Sequence, residues 1–135
     1  MPPSPAYHIG YADGASRWTQ NLASAAWALY TPSHEMLHSS DICLGLATNN
    51  QAEYTAVISL LADAQHNHIR HLSVLLDSQL VILQLNNVYC VRDPCLFRKY
   101  LQFRLLSQHF DSITFTHIPR QLNHISDNLA NIVLD

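Results

Sequence analysis

Basic residues are scarce. The 135-residue chain carries one lysine, Lys99, and six arginines against ten acids, a formal net charge of −3. No broad basic field is therefore available to hold a polyanion unaided. Charged residues are only 13% of the chain and apolar types 48%. That balance is the reverse of a disordered sequence and is enough to fill the core of one domain at this length. No apolar run approaches the roughly 20 residues that a membrane-spanning helix requires. The opening Met1-Pro2-Pro3-Ser4-Pro5 has neither the basic start nor the apolar stretch of a secretory signal. Cysteine is sparse too. Cys43, Cys90 and Cys95 make neither an even framework nor a CxxC pair, so a reducing intracellular compartment, cytoplasm or nucleus, is expected. Secretion and membrane insertion are excluded on this reading. Residues 1–6 are expected to form a mobile tail and residues 7–135 a single domain.

What is present divides by period. Tyr7–Ala12 is rich in aromatics and predicts a strand, with Asp13-Gly14 closing it as turn chemistry. Ala23–Tyr30 and Met36–Leu46 read as further strands about a Thr31-Pro32-Ser33 turn, completing an antiparallel meander. From Asn50 to Gln65 the apolar residues Val57, Leu60, Leu61 and Ala64 recur at helical spacing, with Asn50 a candidate cap and Glu53 three positions on. His71–Leu76 is short and almost wholly apolar, as in a strand buried on both faces. Ser78–Leu85 and Leu96–His109 are helical in pattern, separated by Asp93-Pro94; Ser112–His117 alternates as a strand does. Pro119–Asn123 reads as a loop, and Ile125, Leu129, Ile132 and Val133 mark one face of a final helix. Strands joined through helices imply parallel pairing in the second half. The predicted fold is α/β: a mixed five-stranded sheet, three antiparallel strands followed by parallel ones, flanked by helices.

Glutamate is scarce as well: only Glu35 and Glu53 occur, with eight aspartates. Four acids sit at informative places. Asp13 follows the first strand, Glu53 lies in the first turn of the first helix, Asp77 follows the central strand and Asp127 opens the last helix. Each has a plain structural explanation: a tight turn, a capping box, a helix cap and a charge answering the helix dipole. Together they suggest more. Ligands of open α/β sheets gather outside the carboxyl ends of strands, where Asp13 and Asp77 both fall. Clustered carboxylates repel and resist burial unless cations intervene. Hard divalent ions bound by oxygen are the usual remedy, and a pair about 4 Å apart suits phosphodiester cleavage.

The ordered segments YADGAS (Tyr11–Ser16), NNQAEY (Asn49–Tyr54), LLDSQLV (Leu75–Val81) and HIPRQLNHISDNLAN (His117–Asn131) carry a resemblance. With YCVRDPCL (Tyr89–Leu96) they span nearly the whole chain. The sequence resembles ribonuclease H type 1, and within it the short reverse-transcriptase-like subgroup of plants, archaea and retroelement polyproteins. The resemblance implies a ribonuclease H-like fold and cleavage of the RNA strand of an RNA–DNA hybrid with two Mg2+ ions, Mn2+ often substituting. It implies 3′-hydroxyl and 5′-phosphate products. A monomer is expected, either a stand-alone enzyme or a domain of a larger polyprotein beside a reverse transcriptase. By motif the catalytic and metal-holding acids map onto Asp13, Glu53, Asp77 and Asp127. Asp13 and Asp77 would bridge or flank the metals, Glu53 would hold one ion near the RNA 2′-hydroxyl, and Asp127 would hold the other. The subgroup's HxPR pattern makes Arg120 the candidate for assisting proton movement or product release, ahead of His117 and His124. Gly14, Ser16, Asn50, Gln79, His117 and Asn123 are the implied substrate contacts, with capping an equal alternative for Asn50 and a compatible one for Asn123.

The segment after Asp13, SRWTQNLAS, departs from the family's Gly- and Pro-containing turn, and no basic protrusion is present. Arg92, Arg98, Lys99 and Arg104 form the one cationic run, for which a solvated helix face is the plainer reading. His66, His68 and His71 fit no structural zinc pattern and read as a solvated turn. Trp27 reads as core, Trp18 and Tyr54 as candidates for stacking on nucleotides, and the cysteines as ordinary small apolar residues. Two alternatives stay open: a catalytically silent scaffold or partner-binding module of this fold, and another nuclease of the superfold such as a junction resolvase or exonuclease.

Overall fold

A computed structural model describes residues 5–17 and 22–123. Trp18, His124, Asp127, the expected final helix and most of the expected N-terminal tail lie outside the described residues. The elements run β1 (His8–Arg17), β2 (Leu22–Tyr30), β3 (Met36–Gly45), α1 (Asn49–His66), β4 (His71–Leu76), α2 (Gln79–Leu85), α3 (Pro94–Ser107) and β5 (Ser112–His117), followed by a 3-10 turn, Arg120–Asn123. The sheet order is β3-β2-β1-β4-β5, with β1, β2 and β3 antiparallel and β1, β4 and β5 parallel. The predicted mixed sheet is therefore present, with β1 at its centre.

Three local expectations need correction. The first strand does not stop at Asp13-Gly14; β1 runs on to Arg17, and the pair lies inside the ladder with Asp13 opposite Ala26 and Gly14 opposite Ala25. Aspartate and glycine are poor strand formers, but the small-residue run of β2 supplies a continuous antiparallel partner. The cap of α1 is Thr48, not Asn50, and its capping-box partner is Gln51, not Glu53: Gln51 N donates to Thr48 Oγ1 at 3.1 Å and Thr48 N donates to Gln51 Oε1 at 3.0 Å. Glu53 accordingly falls outside the first turn. The strand β4 alternates, with Leu72, Val74 and Leu76 fully buried and His71, Ser73 and Leu75 only half-buried.

The core lies between α1 and the sheet. Ala56, Val57, Leu60, Leu61 and Ala64 of α1 face Leu29 of β2 and Leu72, Val74 and Leu76 of β4, with Phe103 of α3 closing one end. Trp27 is buried as expected; Tyr54 is wholly buried, its hydroxyl donating to Gln84 Oε1 at 2.7 Å, so it is not available for stacking on a nucleotide. Cys43, Cys90 and Cys95 are exposed rather than core residues. No described helix is long and apolar enough to cross a membrane.

Helix α1 approaches β1 very closely at Gly14. A Cβ on Gly14 would lie 2.3 Å from both the Ala52 carbonyl carbon and the Glu53 nitrogen, which are backbone atoms that no rotamer change can move. Only glycine permits this contact. Gly14→Ala is expected to destabilise the domain by about 1–3 kcal/mol, measured by urea denaturation; an unchanged midpoint would show that α1 shifts freely at this point.

Candidate active site

That close contact positions the first two acids. The Gly14 N–H donates to Glu53 Oε1 at 2.9 Å, drawing the Glu53 side chain back over β1 beside Asp13. The third arrives by topology. The parallel ladder of β1 and β4 ends at Tyr11 opposite Leu75, and Asp77 follows directly after β4. Asp13, Glu53 and Asp77 each offer a carboxylate oxygen, and these oxygens all lie within 4.8 Å of one another. No other such group of three His, Cys, Asp or Glu side chains occurs among the described residues, the three histidines around His68 included.

The plain structural roles of these acids are taken by other residues. Thr48 and Gln51 cap α1, and Ser78 caps α2, its Oγ accepting from Val81 N at 3.4 Å. Neither Glu53 nor Asp77 is engaged as a cap. Asp13 and Glu53 are 4% and 5% exposed, and Asp77 is partly buried. Burying like charges together is costly. The Glu53 carboxyl is pushed up to about 7, chiefly by burial, with the Asp77 charge adding to the rise; hydrogen bonds with Asp13 and the Gly14 amide and the charge of Arg120 pull the other way.

Two buried oxygens of the cluster, Glu53 Oε2 and Asp77 Oδ2, have no hydrogen-bond partner among the described residues. Buried polar atoms are normally satisfied, so each orphan needs a reason. A hard divalent cation supplies one. Oxygens bound to such an ion at about 2.0–2.4 Å cannot stand more than roughly 4–5 Å apart, the span over which these three are gathered. An all-carboxylate donor set matches Mg2+, Mn2+ or Ca2+ rather than zinc or copper. The residues present fit a divalent metal.

Around the cluster the remaining candidates separate. Arg120, in the 3-10 turn, is exposed, and its charge acts on Glu53. His117 ends β5 opposite Leu76 and is exposed, while Asn50 is half-buried in the first turn of α1 and Gln79 is exposed at the start of α2. Ser16 is placed in β1 opposite Ala23. Asn123 is wholly buried, and its Nδ2 donates to the Ala12 carbonyl at 3.0 Å, one residue before Asp13. Nothing in the local sequence signals that partner, which is 111 residues away. The Thr48-x-x-Gln51 capping box, by contrast, was legible as a sequence signature.

Known proteins with this chain's pattern carry the same fold. A family profile described as "Reverse transcriptase-like" matches residues 11–133. The chain is 39% identical over 125 residues to the Ribonuclease HI of Halobacterium salinarum, spanning 93% of this chain and 63% of that protein. The crystal structure of RNase H1 from that halophilic archaeon superposes with a TM-score of 0.91 at 38% identity, covering 96% of this chain and 98% of that one. The N-terminal RNase H domain of rv2228c from Mycobacterium tuberculosis gives a TM-score of 0.92 at 34% identity, over 97% and 95% of the two chains. This chain spans only 34% of the curated full-length protein, "Bifunctional protein Rv2228c", and so covers less than two thirds of either curated relative. LC11-RNase H1, a compost isolate solved in complex with an RNA/DNA hybrid, gives a TM-score of 0.86 at 29% identity, covering 95% of this chain and 99% of that one. The match over almost the entire length, together with the carboxylate cluster formed by Asp13 of β1, Glu53 of α1 and Asp77 just after β4, places the chain in the ribonuclease H type 1 family, in its reverse-transcriptase-like branch.

Proposed function

We propose that this domain is an endoribonuclease that hydrolyses the RNA strand of RNA–DNA hybrids, leaving 3′-hydroxyl and 5′-phosphate ends. The observation that carries the reading is the convergence of Asp13, Glu53 and Asp77 with two buried oxygens left unsatisfied. The hybrid held by LC11-RNase H1 supports the substrate class. Asp13, Glu53 and Asp77 would hold the metal, with Asp127 completing the set from beyond the described residues. Bound divalent cations, two Mg2+ with Mn2+ able to substitute, supply Lewis-acid polarisation of the scissile phosphate and a more acidic water.

The chain's own groups then divide the remaining work. Glu53 must be ionised to act, and the Gly14 amide fixes which of its oxygens faces inward. Arg120 places positive charge beside the cluster, where it opposes the negative charge that builds on a phosphate under attack. Gly14, Ser16, Asn50, Gln79 and His117 are the candidate contacts to the hybrid, with RNA distinguished from DNA through 2′-hydroxyls across the shallow minor groove. Backbone contacts of that kind position a duplex without reading its sequence. Action as a monomer is part of the same proposal. The span of 34% on Rv2228c supports a place within a larger protein, and three unpaired cysteines support a reducing intracellular setting.

Asp13→Asn and Asp77→Asn are each expected to lower kcat on a labelled hybrid by at least about a thousandfold without loss of the folded state; near-normal turnover in either variant would remove the cluster from the chemistry. Arg120→Ala should slow turnover by roughly tenfold to a hundredfold, and an effect equal to that of Asp13→Asn would make it a metal-site residue. Cutting of branched DNA in preference to the hybrid would overturn the substrate assignment. Glu53 has a folded pKa of about 7 against an ordinary 4.5, so between those values the folded state retains a proton that the unfolded chain has released. Its contribution to stability is therefore lost as pH rises from 4.5 to 7 and stays lost above, a deficit on the order of 3 kcal/mol in the metal-free protein. Thermal melts should show the chelated domain folded but weaker at pH 8 than at pH 5, with Mg2+ raising Tm at pH 8 far more than at pH 5. Equal metal effects at both pH values would contradict the buried-carboxylate account.

A further inference from the structure

Asn123 is one of the few polar side chains in the described chain that are wholly buried, and it lies at no protein surface that a substrate could reach. Its amide joins two segments remote in sequence: the 3-10 turn that follows β5, and the Ala12 carbonyl of β1 immediately before Asp13. The place of this bond in the sheet explains it. Strand β4 accompanies β1 only as far as Leu75 opposite Tyr11, then leaves to deliver Asp77. One residue further along β1, an amide from Asn123 reaches the Ala12 carbonyl. A buried backbone acceptor at the end of a ladder requires a donor, and the side chain supplies it where the neighbouring strand has ended.

We infer that Asn123 is a positioning residue, whose amide fixes the Arg120-bearing turn against the strand that carries Asp13. The reading rests on the proposed metal-dependent nuclease site and deepens it. Asp13 and the Arg120-bearing turn come from distant parts of the chain, and no strand pairing among the described residues links that turn to β1. The Asn123–Ala12 bond is a described tie between the turn and the strand. A buried hydrogen bond of this kind holds geometry as well as contributing stability, because leaving the Ala12 carbonyl unpaired costs the full desolvation of that group. Partners behind metal ligands are commonly worth tenfold to a hundredfold in metal affinity or activity.

The test compares wild type with Asn123→Leu, which keeps the volume and removes the donor, and with Asn123→Ala should the leucine disturb packing. Mn2+ affinity is measured by titration calorimetry without substrate, kcat and KM on a labelled hybrid, and Tm by thermal melting. The expected result is a loss of about tenfold or more in Mn2+ affinity and in kcat, with KM within roughly threefold of wild type. Wild-type Mn2+ affinity and kcat in a folded variant of lower Tm would reduce Asn123 to a packing residue and overturn the inference. A raised KM at unchanged kcat would make it a substrate contact and overturn it likewise, as would failure of both variants to fold. Should the wild-type domain bind Mn2+ and cut no hybrid, the proposed function fails, while the calorimetric comparison still judges Asn123.

Discussion

The backbone contact between Gly14 and the second turn of α1 is the constraint on which the site depends. With no Cβ on Gly14, the helix lies close enough for the Gly14 N–H to reach Glu53 Oε1. A buried glutamate is thereby held beside a buried aspartate on the adjoining strand, an arrangement that water would otherwise oppose. Burial raises Glu53 while the amide, Asp13 and Arg120 counter it, so the metal-free protein keeps the group near the point of ionisation. The same contact accounts for the cost and the use of the site. Carboxylates strained by mutual repulsion form a tight ligand set for a dication, and the free energy that opposes them in isolation is recovered when charge of the other sign arrives.

Sheet order converts this pair into a triad. Because β4 inserts beside β1 and not beside β3, its carboxyl end lies next to Asp13. Parallel strands need a crossover, and α1 is that crossover. One helix thus serves two purposes: it joins β3 to β4 and it brings Glu53 to the end of the strands it bridges. The buried Tyr54 hydroxyl, bonded to Gln84, ties the same turn of α1 to α2, the helix that begins just after Asp77. Two of the three acids are therefore carried on elements locked to each other within the core, and a short-range shift of either would be resisted by packing as well as by hydrogen bonding.

Much of this was legible in the residues. The change of period at α1, the apolar run of β4 and the alternation of β5 each announced an element, since burial on one face leaves a repeat that reflects geometry alone. The misreadings have physical causes. Asp13-Gly14 has the chemistry of a tight turn, and only the partner strand shows that glycine is needed for helix clearance instead. Asn50 and Thr48 are both good caps, and the choice between them is made by Gln51, which reciprocates to Thr48. Side-chain exposure of the cysteines and the burial of Tyr54 depend on contacts that no local pattern encodes. The Asn123–Ala12 bond is the extreme case, because the need for a donor arises from where β4 departs and not from any feature near Asn123.

The cations show how sparing the surface is toward a polyanion. Lys99, the sole lysine, donates to Thr55 Oγ1 at 3.1 Å and so braces α3 against α1. Arg70 is paired with Asp111 through a bond of 2.9 Å. The exposed arginines of the expected cationic run are then Arg92, Arg98 and Arg104. Each phosphate neutralised contributes just under one unit to the logarithmic salt slope of binding, so these three together with Arg120 would give a shallow dependence and a modest affinity. Under the proposed function, selectivity would come from fit at the carboxylate cluster more than from electrostatic grip. A neighbouring part of a larger protein that held the hybrid would then add most, since tethering raises the local concentration of substrate without any new contact at the site.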